Sequence, residues 1–495
     1  MTNYFQSTRN QNIKVSASQA ILQGLSQDGG LFVLPDFTNR SYPIEQLQEA
    51  SYQKIAQNIF QLFFDEFSRE EIAECVSKAY DQKFSHPAIT PIVKVGPSYV
   101  LELFHGPTSA FKDVALSILP HFMAQALNKQ QVEEKILILT ATSGDTGKAA
   151  LEGFRDNEAI DIMVFYPNEG VSTIQERQMQ TQRGDNVSVC AIEGNFDDAQ
   201  SSLKEIFNDQ VLQQELHQKQ IQLSSANSVN IGRLVPQIVY YFDAYRQLLD
   251  QNEIELNEPV DFVVPTGNFG NILAGYYAKK LGLPIRNLIC ASNDNHILTD
   301  FLQTGIYDAR REFLKTSSPS MDILISSNLE RLLFDVSGQD SVYVNKCMTK
   351  LKEDGYFSVD SEILKALQEI FVAGFASDER VGQTIHDVYE ETGYVLDPHT
   401  AVAHAVMEEL DDCTCKRIVL ATASPYKFVE SVLAALELEH ATLSEYEKMA
   451  LLEKMTGVSI PQRLQSLMDL PVLHQDVIAK DAIKMYIQSQ IKGGN

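Results

Sequence analysis

The run Ile136-Leu137-Ile138-Leu139, then Thr140-Ala141-Thr142-Ser143-Gly144-Asp145-Thr146-Gly147, then a helical stretch over residues 148–154, decides how this chain is built. Four consecutive apolar residues read as a strand buried on both faces, and the hydroxyl- and glycine-rich stretch reads as a strand-to-helix loop. The alternation continues. An apolar run at 162–166 precedes a helix over 172–182, a run at 187–192 leads into a helix over 196–207, and 221–225 precedes a long helix over 231–249. Continuous apolar strands alternating with helices predict a parallel sheet covered on both faces. Ligands in such α/β sheets bind beyond the carboxyl ends of the strands.

The pattern resumes with a strand at 260–264, a helix over 271–281 and a strand at 288–291. A less regular region spans about 300–390. Pro398 then opens a helix through 410, followed by a strand at 417–421 and a helix over 426–436. The first 95 residues read differently, with helical patches and the turn Asp28-Gly29-Gly30 before Leu31-Phe32-Val33-Leu34. At 495 residues the chain exceeds the size at which one core stops growing. The expected division is a small N-terminal domain over 1–95, an α/β domain over 96–230, and a larger α/β domain over 231–495 with an irregular insertion at 300–390.

Hydrophobic residues make up 44%, enough for a full core, and 66 acidic against 40 basic side chains leave a net charge of -26. Such a surface repels phosphate backbones and anionic lipid, so neither nucleic acid nor a membrane is an expected partner. No run approaches the roughly 18 apolar residues of a membrane span. Met1-Thr2-Asn3-Tyr4-Phe5-Gln6 lacks the basic-then-apolar order of a secretory signal. Six cysteines do not make a disulfide framework, and the pair Cys413 and Cys415 has no second pair or nearby histidine to complete a metal site. Unpaired thiols in a reducing cytoplasm are expected, with no metal.

His105-Gly106-Pro107-Thr108-Ser109-Ala110-Phe111-Lys112-Asp113 places one lysine at the end of a turn-forming run and just before an apolar segment. Partial burial disfavours the ammonium, and a neutral amine is what bonds to an aldehyde, the chemistry of a pyridoxal-phosphate lysine. Gly267-Asn268-Phe269-Gly270-Asn271 lies between a buried strand and a helix. Its two glycines and the helix N-terminus suit a phosphate, although a tight turn that binds nothing has the same composition. Thr142 to Gly147 suits a carboxylate or phosphate, or is a capped helix start. Thr422 and Ser424 follow a late strand, where a hydroxyl faces a bound pyridine nitrogen or caps a helix. Arg233, Asn227 and Asn230 cluster at another strand-to-helix junction, and Ser7, Thr8 and Arg9 sit near the start. His105 is a supporting residue at most, and His399 caps or packs a helix.

Taken together these segments resemble threonine synthase, in family order over nearly the whole chain. The matches are Ser7-Thr8-Arg9, the 24–33 segment around Asp28-Gly29-Gly30, the Lys112 segment, Ala141 to Gly147, Gly194-Asn195-Phe196-Asp197-Asp198, Asn227-Ser228-Val229-Asn230, Gly267 to Asn271, Ser326-Ser327-Asn328-Leu329-Glu330, and Asp397-Pro398-His399-Thr400. Asn10 stands where the family usually has glycine, and Ser424 where it often has histidine.

The resemblance implies a tryptophan synthase β-like (fold type II) architecture, two open parallel-sheet α/β domains with pyridoxal 5'-phosphate between them. It implies conversion of O-phospho-L-homoserine to threonine by β,γ-elimination and hydration, in a monomer or homodimer. Lys112 would be the Schiff-base lysine. Gly267, Asn268, Phe269, Gly270 and Asn271 would hold the cofactor phosphate and Thr422 the pyridine nitrogen. Ser143, Asp145 and Thr146 would face the substrate, with Arg9, Lys148, Asn230 and Arg233 as candidates for its phosphate or carboxylate. Two other readings keep the same residues: a lyase that stops at a 2-keto acid, and a carrier that holds the cofactor without turnover.

Overall fold

The computed structural model describes residues 4–35, 37–80, 82–410 and 415–492. Met1 to Asn3 and Cys413 lie outside the described residues. The run that opens the sequence reading forms the strand Lys135–Ala141, and the loop after it leads into the helix Asp145–Phe154. This strand belongs to a five-stranded, wholly parallel sheet. Its order is Asp476–Ala479, Val187–Glu193, Ile160–Pro167, Lys135–Ala141, Ile221–Ser224.

A second sheet has six strands in the order Phe371–Phe375, Ile285–Ser292, Val260–Pro265, Lys416–Ala421, Ser98–Glu102, Ile92–Val95. All neighbours are parallel except the last pair, an antiparallel hairpin at the edge. Every residue of Val260–Pro265 is buried, as a strand covered by helices on both faces requires. The two parallel α/β units are therefore present. Their membership does not follow chain order, whereas the sequence reading cuts the chain at 95 and 230. Hydrogen bonding places Ile92–Val95 and Ser98–Glu102 together in the larger sheet, and returns Asp476–Ala479 to the smaller one.

The helix Ile231–Asp250 follows the edge strand of the smaller sheet, Ile221–Ser224, and is buried along its length apart from Arg246 and Asp250. It reads as one long apolar helix because it is a core element, not a surface one. The N-terminal residues add a three-stranded antiparallel sheet of Phe5–Ser7, Lys14–Val15 and Phe32–Val33. They also add the helix Tyr52–Phe63, which packs on Ile231–Asp250. Their core is continuous with that of the α/β units, since Phe60, Phe64 and Phe67 close edge-on around Phe122. Rings in that geometry contribute about 0.5–1.5 kcal/mol per pair beyond their burial.

The stretch expected to be irregular is mostly ordered secondary structure. It holds the helices Leu329–Val336, Ser341–Asp354, Ser361–Gln368 and Asp378–Thr392, and the edge strand Phe371–Phe375. Short elements with mixed polarity hide their period, which is why the alternation was not legible there. The segment after the late strand likewise differs. Ser424 accepts from the Tyr426 N–H and Pro425 follows, so the chain makes a 3-10 turn, Pro425–Phe428, before the helix Val429–Ala435. Cys75, Cys190, Cys290 and Cys347 are buried thiols. No helix among the described residues is long and apolar enough to cross a membrane.

Candidate active site

Lys112 begins the short helix Lys112–Leu116, and the turn before it is tied down on two sides. Ala110 bridges Ala423, the Phe111 N–H donates to the Thr422 carbonyl (2.8 Å), and the Ser424 N–H donates to the Ser109 carbonyl (3.1 Å). The lysine is thus clamped to the carboxyl end of Lys416–Ala421, with Ser109 in the left-handed region at φ 61°. Inside the turn both Asp113 oxygens accept from Thr108, from its N–H at 2.8 Å and its hydroxyl at 2.6 Å.

The Lys112 side chain is 12% exposed, and its Nζ lies 3.6 Å from Asp145 Oδ2. Burial holds its ammonium below the usual lysine range; Asp145 opposes that shift, while Arg233 and Lys427 add to it. Asp145 is itself buried. Burial alone pushes its carboxyl up, but Lys427 and Lys112 together overcome this and leave it well below the usual carboxylate range. Its Oδ1 receives Lys427 Nζ at 2.6 Å and Gln175 Nε2 at 2.8 Å. Gly144 makes that approach possible. It sits at φ 124°, and a Cβ there would come within 2.4 Å of the Gln175 side chain.

Lys112 opens onto a cavity of about 1750 Å³. Ser143, Thr146, Asn227, Ser228, Asn268 and Arg9 also line it. The loop Gly267–Asn271 runs from Val260–Pro265 into the helix Gly270–Lys280, with Phe269 left-handed at φ 62°. Gly267 has no room for a side chain, since a Cβ would meet the Ser320 carbonyl oxygen at 2.8 Å. Asn271 Oδ1 accepts from the hydroxyls of Tyr240 (2.6 Å) and Tyr241 (3.0 Å), and its buried Nδ2 is left without a partner.

The segment 326–331 buttresses this loop. Ser326 Oγ donates to the Gly267 carbonyl at 2.8 Å, and Asn328 donates to the Asn268 carbonyl from its backbone (3.2 Å) and its side chain (3.0 Å). Arg331, fully buried, donates to the carbonyls of Phe32 (3.0 Å) and Val229 (2.6 Å).

His399 donates from Nδ1 to Asp397 (2.9 Å), because its Nε2 must accept the Ser320 N–H (3.1 Å). A single neutral tautomer satisfies both contacts. His105 pairs with Glu102 at 2.7 Å and stacks on Phe104.

Not every residue singled out from sequence is available to a ligand. Asn230 caps Ile231–Asp250: its Oδ1 accepts the Gly232 N–H, and its Nδ2 donates to the carbonyls of Ile21 and Ser225. Lys148 pairs with Glu152 at 3.3 Å and also donates to Gln182. Asp145 is a buried counter-ion to two lysines and does not line the cavity. Arg9 does line it, though paired with Glu330 at 2.5 Å. Arg233 donates from Nη1 to the Ala226 carbonyl (2.9 Å), while its buried Nε has no partner. It has no carboxylate partner among the described residues, and burial lowers its guanidinium to about 10. Lys427 and Gln175 were missed. The signal for Lys427 was a lysine set among Tyr426, Phe428 and Val429, beyond a strand's carboxyl end, where a solvated side chain is out of place.

A cofactor with an aldehyde and a phosphate fits these residues. The buried amine suits the first. The helix N-terminus behind a loop whose Gly267 has no room for a side chain, with the orphan Asn271 amide nearby, suits the second. Fold and site together define a pyridoxal-phosphate-dependent enzyme of the open α/β kind, and the profile described as "Pyridoxal-phosphate dependent enzyme" matches residues 85–420.

Two further profiles, "Threonine synthase N terminus" and "Threonine synthase, C-terminal", match residues 4–80 and 400–487. The chain belongs to the threonine synthase family, and its cofactor is pyridoxal 5'-phosphate. It is 40% identical to human "Threonine synthase-like 1" over 493 residues, 97% of this chain but 64% of that protein, so it spans under two thirds of that relative. Threonine synthase from Pseudomonas aeruginosa is 40% identical over 433 residues, covering 86% of this chain and 89% of that one. Among solved structures, PLP-bound threonine synthase from Brucella melitensis superposes with a TM-score of 0.86 at 38% identity, covering 99% of this chain and 100% of that one. The yeast enzyme gives 0.87 at 33%, covering 99% of each.

Proposed function

We propose that this protein converts O-phospho-L-homoserine and water to L-threonine and phosphate, the last step of threonine biosynthesis. The observation that carries the reading is Lys112, a buried amine opening onto one cavity with the phosphate-type loop at Asn268 and the hydroxyls of Ser143 and Thr146. Likeness to threonine synthases over almost the whole chain supports it.

Bound pyridoxal phosphate supplies an aldehyde that bonds to amines and a conjugated ring that stores the electron pair released at the substrate's α-carbon. The protein supplies the rest. Gly267 to Asn271 hold the cofactor phosphate, and Thr422 offers the ring nitrogen a neutral hydroxyl. Ser143 and Thr146 hold the substrate carboxylate. Arg9, on the cavity wall, holds the substrate phosphate, and Arg233, buried within electrostatic reach of Lys112, adds its charge against the field of an acidic molecule.

Lys112 is the general base and acid. As a neutral amine it takes the α-proton, a β-proton then leaves, and phosphate departs from the γ-carbon. A proton then returns at the γ-carbon, water adds its hydroxyl at the β-carbon and a last proton returns at the α-carbon. The three protons released from the α-carbon, the β-carbon and water are thus taken by the γ-carbon, the α-carbon and the departing phosphate. Asp145, held ionised, receives the lysine whenever it carries the extra proton.

The test is product identity. Incubation with O-phospho-L-homoserine is expected to yield threonine and phosphate in equal amounts. Release of 2-oxobutyrate instead would make the protein a phospholyase. K112A is expected to lose both turnover and the cofactor's protein-bound absorbance band; a K112A variant that still forms threonine overturns the mechanism.

A further inference from the structure

Lys427 has no part in the chemistry just described, yet it is the most deeply buried cation near Lys112. Its side chain is 0% exposed, and it makes two fixed contacts: Asp145 Oδ1 at 2.6 Å and the Thr108 carbonyl at 3.0 Å. Burying an ammonium costs several kcal/mol unless it is paired and hydrogen-bonded, so a lysine retained there is expected to have a task. Its two partners belong to the two segments that position Lys112. Thr108 lies in the turn before that lysine, and Asp145 is its counter-ion.

We propose that Lys427 is a positioning residue for Lys112, pinning the Asp145 carboxylate and the Thr108 turn so that the Lys112 amine stays 3.6 Å from a carboxylate held by another cation. The proposal rests on reading Lys112 as the amine that bonds the cofactor. Gln175 helps by donating to Asp145 Oδ1, the same oxygen that receives Lys427, and Gln178 donates to the same Thr108 carbonyl (3.3 Å).

The charged groups around this chain of contacts are Lys112, Asp145 and Arg233, with Asp113 and Lys148 also within electrostatic reach of Lys427. Removing Lys427 takes away one cation that disfavours the Lys112 ammonium. It also frees Asp145 to turn its full charge on Lys112. Both changes favour the protonated amine. Without Lys427, less of Lys112 is neutral at a given pH.

Competitive acetylation of the full-length, cofactor-free chain, read at Lys112 by peptide mass spectrometry across pH 6–11, measures this directly. In K427M the Lys112 midpoint is expected to rise by about one unit, and capture of pyridoxal phosphate at pH 7.5 to slow roughly tenfold. K427R, which keeps the cation, is expected to stay within a few tenths of the wild-type midpoint. A folded K427M with an unmoved midpoint overturns the proposal. If K427M does not fold, the K427R titration decides alone: a displaced midpoint is then the overturning result and an unmoved one supports it. Borohydride reduction of the wild-type holoenzyme with peptide mapping tests the underlying reading separately. Cofactor found on a lysine other than Lys112 sinks that reading, whereas cofactor on Lys112 with an unmoved K427M midpoint sinks only the role of Lys427.

Discussion

Asp113 follows Lys112 directly, and its buried carboxyl is what gives the preceding turn its shape. Burial pushes that carboxyl up from an ordinary 3.8 to about 6, against the opposing pull of the Thr108 donors and Lys427. A carboxyl raised in the folded state contributes stability that is full below the unfolded value and is lost as pH climbs through the folded one. The window is therefore about pH 4 to 6, and the contribution is on the order of 3 kcal/mol. Asn cannot titrate, so D113N is expected to lose ground against wild type at pH 4 and regain it by pH 7. Denaturant melts at both pH values check this, and a constant gap between the two proteins rules it out. His399 is a second case where contacts fix protonation: an imidazole that accepts a backbone N–H is neutral at that nitrogen.

The segment 326–331 shows how far an element's purpose is legible from its residues. Ser326-Ser327-Asn328-Leu329-Glu330 stands out as a motif, yet nothing in its spacing says that it grips a loop some sixty residues earlier in the chain. By contrast, the strand-and-loop signals at 136–147 and 260–271 were local, set by apolar runs and glycines, and those elements form where they are expected. The same contrast divides the site residues. Lys112 and the Gly267 loop carry their chemistry in their neighbours. Asn230 and Lys427 take theirs from distant partners, Ile21 in one case and Thr108 in the other. N328A tests the grip. It deletes a neutral bond to the Asn268 carbonyl and a weaker one to Ser228, about 1 kcal/mol each, together with the bond that the buried Arg331 guanidinium donates to the Asn328 side-chain oxygen. Cofactor affinity, measured by absorbance titration of the cofactor-free chain, is expected to fall roughly tenfold. Unchanged affinity would mean that the loop holds its shape alone.

At the scale of the whole molecule the chain crosses back on itself. Asp476–Ala479 pairs with Val187–Glu193, and Ile483 and Ile487 from the following helix complete an apolar cluster with Leu203, Ile206 and Leu212. Truncation after Leu470 would bare both a sheet edge and that cluster. Such a chain is expected to lose monodispersity in size-exclusion chromatography while the full chain keeps it; an equally well-behaved truncated chain would show that the return segment is dispensable.

The returning strand also sets an order of events during synthesis. The smaller sheet starts at Lys135–Ala141, but its edge is closed only when residues 476–479 leave the ribosome, after every strand of the larger sheet. Until then the nascent protein carries an open, apolar strand edge, the kind of surface that chaperones shield and that aggregates when they do not. The half of the molecule whose sequence is easiest to read is thus the half that finishes folding last.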